Sequence, residues 1–307
     1  MIISATGIVV DHYGDVLLIQ RDDTRTLAPP GGAAEIGELP PQTVAREVRE
    51  ETGLIVMAVR LVGLYYIPTR PNDYLTFLFR CIMRGGEITT SDESPRVGFF
   101  KTTPLPSPML AIHEERIQRS LAHRGGPPYW GSDSLSPRLR LGNLLMNGII
   151  YPWLQFRRRR AGHAPYIPPP SWQTHARVII RDDQGRILWI RSQDGNAWEL
   201  PGGTSAARET PWETAVHSVK TTTGLDTELT DLCGVYPCQE RAQMTFAFAG
   251  KVEGNPSSTE LAEAAFFALK HEPEDALPSH MVQAADSCKP DQETHFRLLP
   301  RAISKMD

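Results

Sequence analysis

Two short apolar runs near the start of the chain are separated by a polar turn. In "GIVVDHYGDVLLIQR" the apolar positions flank Asp11 and Gly14, and this pattern predicts a strand, a glycine-containing turn and a second strand. The pattern returns in "VIIRDDQGRILWIRS", which begins at Val178. We therefore expect a β-hairpin at the beginning of each half of the chain.

A glycine-rich loop and a helical pattern follow each hairpin, in "LAPPGGAAEIGELPPQTVAREVREETGL" and in "WELPGGTSAARETPWETAVHSVKTTTGL". Aligning the second glycines, Gly32 and Gly203, gives an offset of 203 − 32 = 171 residues, which holds back to the first strands without a gap. Downstream, "TFLFR" at Thr76 resembles "TFAFA" at Thr245. The repeat therefore covers a whole domain, and the order of elements predicts an α/β unit in which helices cover a mixed sheet.

Length and composition agree with two domains. A chain of 307 residues with 40% hydrophobic residues has the material for two ordinary cores. A net charge of −4 gives no overall electrostatic reason to expect a nucleic-acid or membrane partner. The four cysteines, which form no paired CxxC set and no zinc ligand set, are Cys81, Cys233, Cys238 and Cys288. We interpret them as buried thiols and place the protein in the cytoplasm.

The segment between the two copies begins and ends in proline and glycine clusters. We predict domains over 1–125 and 172–307, joined by a linker over 126–171. The apolar part, 139–156, is broken by asparagines and a proline, and it is shorter than the roughly 20 residues that span a bilayer. We predict a short helix that packs between the domains and a solvated arginine run over 157–160. An interfacial membrane helix and a polyanion site are the alternatives.

The first helical pattern separates a packing face from an acidic face. A proline at position 40 or 41 suits the first turn of a helix that Gly53 ends. At about 100° per residue, Glu47, Glu50 and Glu51 fall within one arc. Three carboxylates so close together repel each other unless cations lie between them, and hard oxygen ligands suit Mg²⁺ or Mn²⁺. The sequence therefore predicts a divalent-metal site on this helix.

Two further residues complete this predicted site. Arg46 lies one turn before Glu50, at the spacing of an ion pair that orients the carboxylate, and Glu38 approaches the same network from the loop. From Gly32 the full spacing is G-x5-E-x7-R-E-V-x-E-E-x-G-L. An acidic helix face is more often simply solvated, but a pattern this long arises by chance on the order of once in a million chains or less.

This spacing resembles the Nudix box of the Nudix hydrolase (MutT-like) superfamily at every defining position. The resemblance implies an α/β/α sandwich and Mg²⁺-dependent hydrolysis of a nucleoside diphosphate linked to another moiety. By position, it makes the three glutamates of the acidic arc metal ligands, assisted by the carbonyl of Gly31 or Gly32, with Arg46 and Glu38 orienting them. Glu93 in "SDESPR" resembles the later acidic residue that serves as base or extra ligand in many members, with a surface carboxylate as the alternative.

The second copy lacks the acidic residues of the first. Glu47, Glu50 and Glu51 are replaced by a serine and two threonines, whereas the packing face is kept. Neutral hydroxyls do not replace carboxylates around a hard dication, so we expect no catalytic metal there. We interpret this domain as a structural partner or a wall for substrate recognition. Since related pyrophosphatases often pair two domains, we also expect an intramolecular pseudo-dimer.

The sequence leaves the substrate open among nucleotide-type small molecules. Arg21, at the end of the second strand, is a candidate for a phosphate, and Tyr66 and Tyr74 are candidates for stacking on a base, although strand aromatics mostly pack. A nucleotide sugar, a dinucleotide and a nucleoside triphosphate all fit. A non-catalytic regulator that senses a nucleotide with two Nudix folds is the alternative, and the complete first box disfavours it.

Overall fold

A computed structural model of the chain describes residues 1–22, 24–90, 94–133, 168–192, 197–254, 262–269, 271–288 and 293–299. The chain divides into two compact units. The first comprises Met1–Glu35, Pro40–Arg124 and Tyr129–Ser171. The second comprises Ile36–Leu39, Gly125–Pro128 and Trp172–Asp307. The domain and linker boundaries given above stay predictions.

The first unit contains a five-stranded mixed sheet and a three-stranded antiparallel sheet. Its strands are β1 (Ile2–Val9), β2 (Val16–Gln20), β3 (Leu27–Ala28), β4 (Gly31–Ala33), β5 (Leu54–Ile67), β6 (Tyr74–Gly86), β7 (Arg96–Phe100) and β8 (Tyr129–Ser132), and its helices are α1 (Pro40–Thr52) and α2 (Ala111–Ala122). The larger sheet has the order β4-β1-β6-β5-β8, with β1 parallel to β6 and β8 parallel to β5. The smaller sheet has the order β3-β2-β7.

The two helices of this unit cover opposite faces of the larger sheet. A Cβ placed on Gly7 of β1 would lie 2.9 Å from Val44 and 3.2 Å from Val48, so α1 packs directly on the centre of the strand. On the other face, Ile117 of α2 packs in one buried cluster with Ile8 of β1. Strands covered on both faces are mostly apolar, as are β1 and the buried residues 75–79 of β6. The predicted α/β fold with mixed sheets between helices is therefore confirmed.

Helix α1 follows the predicted division of faces. Val44 and Val48 are fully buried, and Thr52 donates its hydroxyl hydrogen to the carbonyl of Val48, 2.5 Å away. Gly53, at a φ of 75°, ends the helix in the left-handed conformation that glycine adopts without a steric penalty. The helix begins at Pro40. Proline lacks a backbone N–H, and the first residue of a helix does not need one because it has no acceptor within the helix.

The second unit repeats this architecture. Its strands are β9 (Gln173–Ile180), β10 (Ile187–Ser192), β11 (Gly202–Thr204), β12 (Thr227–Pro237), β13 (Gln243–Val252), β14 (Ala262–Phe267) and β15 (His295–Phe296), and its helices are α3 (Pro211–Thr223) and α4 (Pro278–Asp286). The sheet order β11-β9-β13-β12-β15 matches that of the first unit strand by strand. A second, two-stranded sheet pairs β10 with β14.

The offset of 171 residues is reproduced in the structure. Adding it to the first residues of β1, β4 and α1 gives 173, 202 and 211, which begin β9, β11 and α3. The hairpin turns also match in detail: Asp11 accepts backbone hydrogen bonds from residues 13 and 15, and Asp182 accepts them from residues 184 and 186. The predicted repeat of a whole domain is thus confirmed at the level of single hydrogen bonds.

Three further expectations concern the linker, the membrane and the cysteines. The predicted linker helix and arginine run, 139–160, lie outside the described residues. Among the residues that are described, no helix combines the length and the apolar composition needed to cross a bilayer. The interpretation of all four cysteines as buried is wrong, because Cys288 is exposed where α4 has ended and Cys233 is only half-buried; Cys81 and Cys238 are buried.

Candidate active site

The site is built where the glycine-rich strand β4 lies against the middle of α1. A Cβ on Gly31 would lie 2.3 Å from the carbonyl oxygen of Ala5, so only glycine fits this close approach of β4 to β1. The backbone N–H of Gly31 donates to Oε2 of Glu51 at 2.8 Å. The loop therefore holds one carboxylate of the acidic face directly.

Gly32 has no side chain, and this leaves room for a second carboxylate. A Cβ at this position would lie 2.4 Å from Cδ and Oε1 of Glu47 and 2.5 Å from its Oε2. The Glu47 carboxylate thus occupies the cradle that a side chain would fill. The match between Gly32 and Glu47 is thus a direct steric one.

Arg46 joins the remaining acidic groups. Its Nη1 donates to Glu47 at 2.9 Å and to Glu50 at 3.1 Å, and its Nη2 donates to the carbonyl of Ala33 at 2.9 Å. The predicted Arg46–Glu50 ion pair is therefore present, and the contact with β4 fixes the guanidinium between strand and helix. Glu47 is 15% exposed and Glu50 is 59% exposed, so the network runs from the protein interior to solvent.

The charges and donor atoms of this network suit a divalent cation. Three carboxylates and one guanidinium leave an excess of 3 − 1 = 2 negative charges. All the side-chain donors are carboxylate oxygens, which hard cations such as Mg²⁺ prefer. Across the described residues no three carboxylates, thiols or imidazoles already converge at metal-ligand spacing. Arg46 holds Glu47 and Glu50, and the Gly31 N–H holds Glu51, so these are the carboxylates that would bind a metal.

The other predicted site residues differ in burial and position. Glu38 is half-buried in the loop Ile36–Leu39 before α1. Arg21 is exposed after β2, Tyr66 is buried in β5 and Tyr74 is half-buried at the start of β6, one step along the ladder from Tyr66. Glu93 lies outside the described residues. The structure thus brings together the two glycines, Arg46 and the three box glutamates, and the roles of the remaining residues stay predictions.

Sequence reasoning missed a buried polar cluster beneath α2. Arg116 donates from Nη2 to Asp133 at 2.7 Å, and its guanidinium carbon lies 4.5 Å from the ring centre of Tyr65. Burial raises the pKa of Tyr65 to about 12, and the nearby arginines Arg119 and Arg116 oppose this shift. The available signal was the polar spacing of His113, Arg116 and Ser120 on a helix. The carbonyl of Ala33 was also missed, because side-chain patterns do not report backbone acceptors.

The corresponding place in the second unit has the same shape and different chemistry. A Cβ on Gly203 would lie 2.8 Å from the Ser218 hydroxyl, which stands where Glu47 stands in the first unit. Thr221 and Thr222 donate to carbonyls of their own helix at 2.9 and 2.8 Å. Glu209, which matches Glu38, accepts from the N–H of Ala206 at 2.8 Å. The positions that match the three glutamates thus hold hydroxyl side chains, and those of Thr221 and Thr222 are satisfied within their own helix.

Helix layers on both faces of a mixed sheet, together with a glycine loop that holds glutamates of one helix, are the arrangement that the resemblance in the sequence implies. The family model described as the NUDIX domain matches the chain twice, over residues 2–119 and 172–290. The chain therefore belongs to the Nudix family. It is a phosphoanhydride hydrolase of a family that acts on nucleoside diphosphate derivatives and generally depends on a divalent metal.

Two relatives agree with this assignment. A MutT-like protein of Streptomyces ambofaciens is 37% identical over 123 residues, which are 40% of this chain and 79% of the relative. An ADP-ribose pyrophosphatase of Methanocaldococcus jannaschii is 34% identical over 114 residues, 36% of this chain and 66% of the relative. Among solved structures, that of an ADP-ribose pyrophosphatase from Streptococcus suis covers 43% of this chain and 98% of its own, with 26% identity and a TM-score of 0.36.

Proposed function

We propose that the first domain carries the catalytic activity and that Mg²⁺, or Mn²⁺, is its cofactor. The observation that carries this proposal is the contact set of Glu47, Glu50 and Glu51 with Arg46 and the glycine loop, which is complete in the first unit and replaced by hydroxyls in the second. Glu47 and Glu51 approach from the helix, and the carbonyl of Gly31 or Gly32 is the backbone ligand.

Each residue of the site has its own role in the proposed mechanism. The three glutamates would hold the divalent ion, and a bound ion would supply charge for the phosphate oxygens and lower the pKa of a water molecule that attacks phosphorus. Arg46 fixes the directions of Glu47 and Glu50, and Glu38 supports the same network from the loop. Glu93 serves as base or extra ligand. Arg21 binds a phosphate, and Tyr66 and Tyr74 line the base site.

The substrate is a nucleoside diphosphate derivative. A nucleotide sugar such as ADP-ribose is the first choice, because the Methanocaldococcus jannaschii relative bears the name ADP-ribose pyrophosphatase. A mouse relative, 31% identical over 112 residues, is named an 8-oxo-dGDP phosphatase, so an oxidised nucleoside diphosphate joins the set to be tested. Dinucleotides and nucleoside triphosphates stay in the set because the sequence leaves them open. The second domain lacks the three carboxylates of the first helix, and its role is to support the first domain or to recognise the substrate. We keep the cytoplasm as the expected location.

The test is turnover of a substrate panel with Mg²⁺ by the wild-type protein and by two matched variants. Glu51→Gln removes a ligand charge, whereas Thr222→Ala changes the position that corresponds to it in the second unit. We expect Glu51→Gln to abolish turnover and Thr222→Ala to leave it unchanged. Equal losses in both variants would contradict the division of roles. Tight nucleotide binding without turnover of any compound would favour the non-catalytic sensor instead.

A further inference from the structure

The hairpin of β5 and β6 carries apolar side chains on the face that α2 covers only in part. Three of the ten large hydrophobic residues that are exposed in the described chain lie on this face, and they are Ile55, Met57 and Ile82. Met57 pairs with Ile82 across the ladder, and Ile55 lies two residues before Met57 on the same face. Their exposed fractions are 49% for Ile55, 42% for Met57 and 37% for Ile82.

Arginines adjoin these apolar residues. Arg60 pairs directly with Arg80 across the same ladder, two residues from Ile82, and Arg60 lies 3.4 Å from the carbonyl of His123 at the end of α2, next to Arg124. Arg84 lies 3.8 Å from the Met57 sulphur. Like charges placed directly opposite each other destabilise a sheet. Within the part of the chain that the structure describes, no carboxylate lies within ion-pair distance of these arginines.

Arg80 carries a donor that the described part of the chain leaves unsatisfied. Its Nη1 is buried and makes no hydrogen bond among those residues. Burial lowers the pKa of Arg80, and the charges of Arg124 and Arg60 lower it further. Arg80 as a whole is only half-buried, so an anion that approaches the accessible part of its guanidinium would offset the repulsion among these charges.

The second unit shows that the fold does not require these residues. On the first strand of the ladder the offset of 171 places Glu228 and Asp231 where Met57 and Arg60 stand. On the second strand the offset is 245 − 76 = 169, as between Thr76 and Thr245, so Lys251 and Ala249 stand where Ile82 and Arg80 stand. The matching pairs are Glu228 with Lys251 and Asp231 with Ala249. The apolar pair of the first unit is thus replaced by opposite charges, and the arginine pair by an acid and an alanine. One fold therefore carries two surfaces of different chemistry, and the first combines exposed aliphatic groups with clustered cations.

We propose that this basic–apolar face, formed by Ile55, Met57, Ile82, Arg60, Arg80 and Arg124, binds an anionic phospholipid surface. Lipid phosphates neutralise the arginines, and the aliphatic side chains enter the boundary between head groups and acyl chains. These six residues include no aromatic side chain on which a nucleobase could stack, which disfavours single-stranded nucleic acid. A second copy is disfavoured because an isologous contact through this face would bring its arginines towards each other.

The test is flotation of the full chain with vesicles of phosphatidylcholine alone or with about one third phosphatidylglycerol. We expect the protein to float with the anionic vesicles, to stay behind with the neutral ones, and to lose binding at high salt because surface charges are screened. No flotation with anionic vesicles at low salt overturns the proposal. Equal binding to both vesicle types also overturns it, since the arginines would then contribute nothing.

Variants that copy the second unit locate the contact. Met57→Glu and Arg80→Ala introduce residues that this fold carries at the matching positions, and Arg80→Ala is expected to weaken binding about fivefold. Val216→Glu, at an exposed apolar residue of α3, is the control and should bind as the wild type does. Unchanged binding of both test variants overturns the proposal. The proposal is also overturned if the test variants keep vesicle binding and instead lose a dimer or lose binding to an RNA. If Met57→Glu does not fold, Arg80→Ala and the salt dependence decide.

Discussion

Gly32→Ala is the substitution that separates the geometry of the site from the stability of the fold. The new Cβ would lie 2.4 Å from the Glu47 carboxylate, whereas ordinary contact begins at 3.4 Å. The carboxylate must therefore retreat by about 1 Å, and a displacement of that size in a catalytic group costs about a hundredfold in rate. The backbone at Gly32 is outside the left-handed region, so alanine itself is tolerated there.

The assay is kcat for the best substrate of the panel at saturating Mg²⁺, together with the midpoint of urea unfolding. We expect kcat to fall about a hundredfold and the midpoint to change little, because the displaced atoms are the end of a flexible side chain. Gly203→Ala is the matched control: its Cβ approaches Ser218 to 2.8 Å, and kcat should stay at the wild-type value. A wild-type kcat in Gly32→Ala, or an equal loss in Gly203→Ala, would show that the fit of Glu47 against Gly32 does not set the rate.

Three more substitutions probe contacts described above. Arg46→Ala should weaken metal-dependent activity by about 10- to 100-fold, measured as kcat against Mg²⁺ concentration, whereas the matching His217→Ala should not. Asp133→Asn should lower the free energy of unfolding by about 2 kcal/mol in urea titrations, because it leaves the buried charge of Arg116 without its counter-ion; an unchanged value would contradict this role. Burial lowers the pKa of His280 well below 6.5, and the nearby Arg177 lowers it further, so the folded state resists protonation and stability should be lost as the pH falls below 6.5. His280→Gln should show a flatter dependence between pH 6.5 and 5 in the same titrations, and an equally steep one would contradict the assignment.

The repeat was readable from the sequence because its signals are local. Apolar alternation, a turn glycine and a helix-ending glycine act through the backbone of their own segment, so an offset of 171 residues placed β9, β11 and α3 correctly. The acidic face of α1 and the Arg46–Glu50 pair were predictable for the same reason, since both depend only on helical spacing.

What could not be predicted depends on contacts between distant segments. The fit of Glu47 against Gly32, and the hydrogen bond from Gly31 to Glu51, require the position of β4 relative to α1, which no spacing encodes. The Arg116–Asp133 pair joins α2 to the residue after β8, and the exposure of Cys288 depends on where α4 ends. Each of these depends on tertiary packing. The sequence predicts the separate helices and strands, but it does not predict how they contact each other.

We infer that one of the two matching folds holds the metal and that the other does not. Titration with Mn²⁺, followed by electron paramagnetic resonance, separates the two folds when it is applied to the matched variants Glu47→Gln and Ser218→Ala. We predict that tight Mn²⁺ binding is lost in Glu47→Gln and unchanged in Ser218→Ala. Tight binding that survives in Glu47→Gln, or that disappears in Ser218→Ala, would rule out the assignment of the metal to the first unit.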